Sequence, residues 1–314
     1  MAETRALRVV GKDRAAEDVM TVTLADAAGG RLPDWTPGAH IDLVLPGGLV
    51  RQYSLCGDRW DPRTYRVGVL REPGGRGGSA WVHDRLAVGD IVGLGGPRNN
   101  FPLVPAARYL FIAGGIGITP LLPMIQQANL LGADWQLLYG GRKTASMAFR
   151  DDLAGYGNRV QVRPQDVCGL LDLAGFLRGY QAGTRVYCCG PAPLLDAVSG
   201  ACAALPPHTL RTERFVTDAL AAPARSASFE VELARSGRIV TVTPDASVLD
   251  AVTAAGADVL SSCRQGVCGT CEITVLGGAP DHRDSVLDDA ERAAGTCMFV
   301  CVSRSRTDRL VLDL

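Results

Sequence analysis

Residues 263–271 read Cys-Arg-Gln-Gly-Val-Cys-Gly-Thr-Cys, and a further thiol, Cys301, follows on a later stretch. Three thiolates spaced C-x4-C-x2-C on one tight loop can grip one face of an iron-sulfur rhomb, while a fourth from a later element completes the second iron. Gly266 and Gly269 let the backbone curl around such a group and let main-chain N–H groups point at sulfur. A structural zinc site also takes four cysteines, usually as two C-x2-4-C pairs on separate knuckles. Cys301 has only Cys297 near it, so the three-plus-one pattern suits a 2Fe-2S cluster on Cys263, Cys268, Cys271 and Cys301 better. Zinc, or plain buried thiols, are the alternatives.

The chain of 314 residues suffices for two or three domains of roughly 100 residues each. It has no run of roughly 18 apolar residues that could cross a membrane, and its opening Met-Ala-Glu-Thr-Arg lacks a signal-peptide apolar stretch. A cytoplasmic, monomeric protein without membrane or nucleic-acid partners is expected. The other six cysteines, Cys56, Cys168, Cys188, Cys189, Cys202 and Cys297, follow no disulfide framework, and most of them read as small buried apolar residues. The net charge of −1 hides an asymmetry: residues 228–314 carry 8 basic and 13 acidic side chains, the remainder 24 and 20. The cysteine loop therefore sits in an acidic module on a mildly basic body.

From Ala6 to about Pro105 short strands alternate with Gly, Pro and Asp turns: Ala6–Val10, Met20–Leu24, His40–Leu45, Arg51–Cys56, Tyr65–Leu70 and Asp90–Leu94. Many short strands in so little chain predict a closed antiparallel barrel. One helix is expected there, over Ala80–Leu86, preceded by Gly77-Gly78-Ser79, where free N–H groups could meet a phosphate or a serine could simply cap the helix. Arg51-Gln52-Tyr53-Ser54-Leu55-Cys56 places an aromatic, a hydroxyl and an arginine on one strand, a set able to cover a flavin and bind its phosphate. An ordinary strand would look the same.

Taken together, Arg-x-Tyr-Ser-Leu followed by Arg-Gly-Gly-Ser resembles the flavin barrel of the ferredoxin reductase superfamily, more closely its FMN-binding phthalate dioxygenase reductase and vanillate demethylase reductase branch. The resemblance implies that Arg51, Tyr53, Ser54 and Leu55 line FMN, that Val69, Leu70 and Arg71 edge its ring, and that Arg76, Gly77, Gly78 and Ser79 hold its phosphate. FMN is expected rather than FAD, because that last segment looks built to end on a terminal phosphate. Gly96–Phe101 resembles the segment that closes the barrel.

After Pro105 strands alternate with helices: strand Tyr109–Ala113, helix Thr119–Leu131, strand Trp135–Tyr139, strand Arg185–Cys189 and a helix over Pro193–Ala203. That order predicts a parallel α/β sheet with a nucleotide at its carboxyl ends. Gly114, Gly115 and Gly117 lie at the first strand-to-helix turn, where they allow close approach to a pyrophosphate, and Pro120 suits a first helical turn. Such a turn also occurs without a ligand, and this one is not the G-x-G-x-x-G fingerprint. Cys188-Cys189-Gly190-Pro191 resembles the superfamily's C-G-P motif, which implies that Thr119 and Cys189 neighbour the nicotinamide and that Glu213-Arg214-Phe215 returns beside the flavin. By the same resemblance Gly190 and Pro191 would belong to the nucleotide site, and Arg142 could take its pyrophosphate. The basic pair Arg142-Lys143 leans towards a 2′-phosphate and NADPH; the resemblance favours NADH. Val216–Ala227 reads as a linker. Beyond it, strands Phe229–Leu233 and Ile239–Val242, a helix over Ser247–Ala255 and a strand over Glu272–Leu276 around the cysteine loop resemble the β-grasp of plant-type ferredoxins.

The expected domains are therefore 1–105 (FMN barrel), 106–227 (nucleotide domain with linker) and 228–314 (ferredoxin). In this order they make a two-to-one-electron converter in which the cofactors carry the chemistry and no catalytic acid or base is needed. His40, His83, His208 and His282 read as structural or surface residues, His282 being the one near the cluster region. No Rieske C-x-H motif is present, so substrate chemistry is expected on another protein: a terminal oxygenase, Rieske-type by resemblance. A haem-thiolate monooxygenase is the second choice, and a redox-sensing iron-sulfur flavoprotein without a dedicated oxygenase the third. Asp281, Asp284, Asp288, Asp289 and Glu291 are expected to form a negative face that steers the module to its partner.

Overall fold

A computed structural model of the protein describes residues 5–75, 77–215, 222–287 and 289–314. Residues up to Arg214 form one compact unit and those from Phe215 onward a second.

The first unit opens with strands β1 (Arg5–Ala16), β2 (Val19–Asp26), β3 (His40–Leu45), β4 (Leu49–Ser54), β5 (Thr64–Leu70) and β6 (Ile91–Arg98), with helix α1 (Gly78–Asp84) between the last two. They pair antiparallel in the order β4-β3-β6-β1-β2-β5, and an antiparallel bridge between Leu55 and Val67 joins the two edges into a barrel. Alternation along the strands sends Leu7, Val9, Val22, Leu24, Ile41, Leu43, Val67 and Val69 into one dry core. The segment after β6 is tied down: Asn99 Nδ2 donates to Thr36 Oγ1 at 2.7 Å and to Pro37 O at 3.0 Å.

Strands β7 (Arg108–Gly114), β8 (Asp134–Gly141), β9 (Val160–Pro164), β10 (Thr184–Cys189) and β11 (Leu210–Glu213) then form a parallel sheet in the order β11-β10-β7-β8-β9. Helix α2 (Leu121–Leu130) lies on one face. The other face carries α5 (Leu173–Leu177) and α6 (Ala192–Cys202), and short α3 (Arg150–Ala154) and α4 (Gln165–Cys168) fill connections. The helix expected from Thr119 starts two residues later: a 3-10 turn over Gly115–Ile118 precedes it, Pro120 is the N-cap, and the α-helix begins at Leu121.

The second unit contains β12 (Phe229–Leu233), β13 (Arg238–Val242), α7 (Val248–Ala254), β14 (Glu272–Gly277), β15 (Pro280–Asp281), α8 (Asp289–Ala294), β16 (Cys297–Phe299), β17 (Arg304–Ser305) and β18 (Arg309–Leu312). The main sheet runs β13-β12-β18-β14-β16, with β12 and β18 parallel, and α7 covers its core through Val248, Leu249 and Val252. Ser247 caps α7, accepting the Asp250 N–H at 3.0 Å. Of the expected linker, residues 216–221 lie outside the described residues, whereas Ala224 N–H donates to Asp281 at 2.9 Å and Arg225 pairs with Asp308.

Candidate functional site

In the second unit the cysteine loop leaves α7 and turns back through residues that adopt positive φ: Arg264 (54°), Gly266 (70°) and Gly269 (73°). Gly266 has no room for a side chain, since a Cβ there would stand 2.6 Å from Val302 Cγ2. The curl buries all four predicted ligands, Cys263, Cys268, Cys271 and Cys301, and links their thiols in a row: Cys268 to Cys263, Cys263 to Cys301, Cys301 to Cys271. Polar hydrogens already point at these sulfurs. Gln265 N–H donates to Cys263 Sγ at 3.2 Å, and the Thr270 hydroxyl to Cys268 Sγ at 3.1 Å. The Cys268 thiol is held well above the usual thiol range, first by its bond with Cys263 and then by burial. Cys301 is lowered by Cys263 but raised more by Cys271 and by burial, and ends at about 12. Four crowded thiols, buried yet supplied with donors suited to anionic sulfur, fit a cationic metal centre that would deprotonate them. A row of pairs suits two irons, each taking two thiolates. Among the described residues no group of three or more His, Cys, Asp or Glu is gathered to hold a single ion. Cys297 is partly buried, on β16.

The expected acidic face does not form as drawn. Asp281 and Asp284 are buried, 6% and 4% exposed. Asp281 accepts from Ala224 and lies 3.6 Å from Arg306; Asp284 accepts backbone N–H groups of Val286 and Leu287. Desolvation drives both to internal partners. Asp288 lies outside the described residues, as does the side chain of Asp289. His282 is buried beside Asp284, and burial lowers its pKa, opposed by Asp284.

In the first unit the predicted flavin residues gather where β4, β5 and α1 meet. The Arg51 stem crosses Gly78 so closely that a Cβ on that glycine would stand 2.4 Å from Arg51 Cγ. Gly77 enters α1 with φ 79°. Tyr53 is half-buried; burial raises its hydroxyl pKa, opposed by Arg51. Ser54 is buried, while Leu55 and Val69 point into the barrel core and could offer a ring only their backbone. Leu70 faces outward, against the core of the parallel sheet. Ser79 Oγ accepts Glu72 N–H at 3.0 Å, and Arg71 is committed to Asp84 through two bonds of 2.6 and 2.8 Å. Arg76 lies outside the described residues.

The nucleotide residues converge at the carboxyl ends of β7 and β10. A Cβ on Gly117 would stand 2.3 Å from Cys189 O, and one on Gly190 would stand 3.0 Å from Gly114 Cα, so these backbones touch. Gly115 has φ 55°. Pro191 closes the same turn and caps α6. Thr119 is buried, with its hydroxyl donating to Ile116 O at 2.9 Å. Arg142 is exposed, and Lys143 is drawn to Glu17 at 3.0 Å, which leaves Arg142 as the basic residue of that pair facing outward. Phe215 is 38% exposed and begins the second unit.

Three features were not expected. Gly68, on the outer face of β5, makes a notch in which a Cβ would lie 2.9 Å from Thr119 Cγ2 and 3.0 Å from the Phe149 ring. Phe149 itself has φ 61°, and Arg66 sits over its ring while pairing with Asp152 at 2.5 Å. Glu213 ends β11 with its carboxyl 3.8 Å from Cys189 Sγ; desolvation pushes it up to about 8 although the residue is only half-buried overall. The glycine inside a strand was the available signal for close approach; nothing local marked Phe149, and the expectation that Glu213 returns beside the flavin did not foresee its contact with Cys189.

A family model described as the 2Fe-2S iron-sulfur cluster binding domain matches residues 231–306. Over 98% of its length the chain is 46% identical to a protein of Ectopseudomonas oleovorans named phenoxybenzoate dioxygenase subunit beta, covering 97% of that protein. Among solved structures, an intact type IV self-sufficient cytochrome P450 monooxygenase superposes on 99% of the chain with 45% identity and a TM-score of 0.92. The chain spans only 41% of that protein. Phthalate dioxygenase reductase, described as a modular structure for electron transfer from pyridine nucleotides to 2Fe-2S, superposes with 35% identity and a TM-score of 0.73, covering 99% of this chain and 98% of that one.

Proposed function

The chain belongs to the phthalate dioxygenase reductase family, and we propose that it is the reductase component of a multicomponent oxygenase, passing electrons from NADH through FMN and a 2Fe-2S cluster to a terminal oxygenase. The observation that carries this reading is similarity over the whole chain joined to a row of four buried thiols supplied with donors. A flavin accepts electrons in pairs and releases them singly, and the cluster carries one at a time.

The protein's own part is placement. Cys263, Cys268, Cys271 and Cys301 hold the cluster. Arg51 and Gly77–Ser79 hold the flavin phosphate, Tyr53 and Ser54 its ring, and Gly114, Gly117 and Gly190 admit the pyrophosphate. The notch at Gly68 brings Thr119 against the flavin strand, which excludes water from the place where nicotinamide and flavin meet. In this reading the flavin belongs to the antiparallel barrel, the nucleotide to the parallel sheet and the cluster to the cysteine-bearing unit.

The partner is a Rieske-type oxygenase acting on an aromatic compound, a reading supported by similarity to dioxygenase components. Similarity to two fifths of a self-sufficient cytochrome P450 favours a second reading, supply of a haem-thiolate oxygenase. Purified protein mixed with NADH, and separately with each class of oxygenase, tests both: rapid flavin bleaching followed by product formed with the Rieske enzyme is expected. Product with only the haem enzyme selects the second reading, and no bleaching overturns both. Extracted flavin is expected to be FMN, and NADH to be preferred to NADPH. No helix among the described residues is long and apolar enough to cross a membrane.

A further inference from the structure

Residues 282–285 bond to both halves of the cysteine cradle. Ser285 N–H donates to Gly266 O at 2.9 Å, inside the three-cysteine loop. Arg283 donates through its backbone N–H to Ser303 Oγ and through its guanidinium to Val302 O, both at 3.3 Å, just after Cys301. The segment thus clamps the loop to the turn after β16 that carries the fourth thiol. Within it Asp284 lies directly against Gly266, where a Cβ would stand 3.0 Å from Asp284 Cα.

The Asp284 side chain is wholly buried. Its Oδ2 accepts Val286 N–H at 3.1 Å and Leu287 N–H at 2.9 Å, with Arg292 Nη2 3.9 Å away. Oδ1 has no hydrogen-bond partner among the described residues and stands 3.9 Å from His282 Nδ1. A buried carboxylate is an expensive way to accept two backbone N–H groups: an amide oxygen would accept the same pair at lower desolvation cost. Its charge faces Arg292 on one side and, on the other, Gly266 of the loop that carries three of the thiols.

We propose that Asp284 is a positioning residue for electron transfer, whose fixed negative charge behind the cysteine loop disfavours the added electron and holds the cluster's reduction potential low. The inference rests on the reading of the four cysteines as a 2Fe-2S site. Negative charge in a poorly solvated place is screened little, so the effect survives salt. Arg292, beside the same carboxylate, offsets part of it.

The test uses the full chain as wild type, Asp284→Asn and Arg292→Gln, measuring iron per chain, the rhombic signal of the reduced protein and the midpoint potential by spectroelectrochemical titration. Asp284→Asn keeps the backbone N–H acceptor and removes the charge. It is expected to retain two irons and wild-type line shape while shifting the reduction equilibrium about tenfold towards the reduced form, 59 mV for a one-electron couple. Arg292→Gln is expected to shift it the other way. Wild-type potentials in both variants, with intact clusters, overturn the proposal and leave the cluster reading standing. If Asp284→Asn loses iron, Arg292→Gln decides: a downward shift supports the proposal, and no shift or an upward one overturns it. A wild-type protein that holds zinc and no iron sinks both readings together.

Discussion

In the unit that begins at Phe215 the candidate site is made of atoms that are present, four sulfurs delivered by a loop of nine residues and the turn that follows β16. In the unit that ends at Arg214 the candidate site is made by atoms that are missing. Gly68, Gly78, Gly117 and Gly190 each lack a Cβ that would strike Thr119, Arg51, Cys189 and Gly114 respectively. The difference teaches where substitutions should act. Changing a sulfur removes a function from a protein that stays folded around it, whereas adding a carbon in the other unit strains the fold and the site at once.

The sharpest break is Cys268→Ser. It should abolish cluster binding, read as loss of iron, and stop electron delivery to the oxygenase while NADH still bleaches the flavin. Cys297→Ser, outside the row of thiols, should keep full iron. A serine at 268 that still binds two irons would show that the row is not the ligand set. Next is Gly117→Ala, whose methyl would collide with Cys189 backbone and not with a flexible tip. We expect about 1–3 kcal/mol of destabilisation, weaker NADH binding and unchanged iron content; unchanged stability in a thermal melt would mean that the close contact yields freely.

A smaller effect is expected at Glu213. Desolvation raises its carboxyl to about 8 from an ordinary 4.5, so between those values the folded chain binds more protons than the unfolded one. Stability is then fullest at low pH and is lost as pH rises towards 8. Glu213→Gln should flatten that slope and gain stability relative to wild type most at alkaline pH, measured as unfolding midpoints across the range. An identical slope in the variant would assign the dependence elsewhere. Smallest is Lys143→Ala: its pair with Glu17 is exposed and worth about 0–1 kcal/mol. Discrimination between NADH and NADPH should hardly move, and a large move would place Lys143 in the nucleotide site.

The same contrast explains what could be read before folding. The candidate cysteine ligands were legible as a set because their spacing along the chain brings them to one buried loop, and the barrel strands because residues such as Leu7, Val9, Val22 and Leu24 alternate into one core. Strand β9 and helices α3 to α5 escaped notice because each is too short to show a period: α3 and α5 bury one apolar side chain apiece, Leu153 and Phe176, and Val167 of α4 is 74% exposed. Asp281 and Asp284 look like surface charge in sequence, where nothing shows that Arg306 and Arg292 will lie beside them. Gly68 and Phe149 are 81 residues apart, and no local pattern can announce such a meeting.

Because Gly68 seats Thr119 and Phe149 directly on the barrel wall, and because Val19, Cys56 and Phe101 share one dry core with Tyr109, Met124 and Trp135, the barrel and the parallel sheet are packed on one continuous core. Parting them like a jaw to admit a dinucleotide would expose that core to water, so the yielding of single side chains is the less costly way in, and the barrel and sheet should unfold as one solid body.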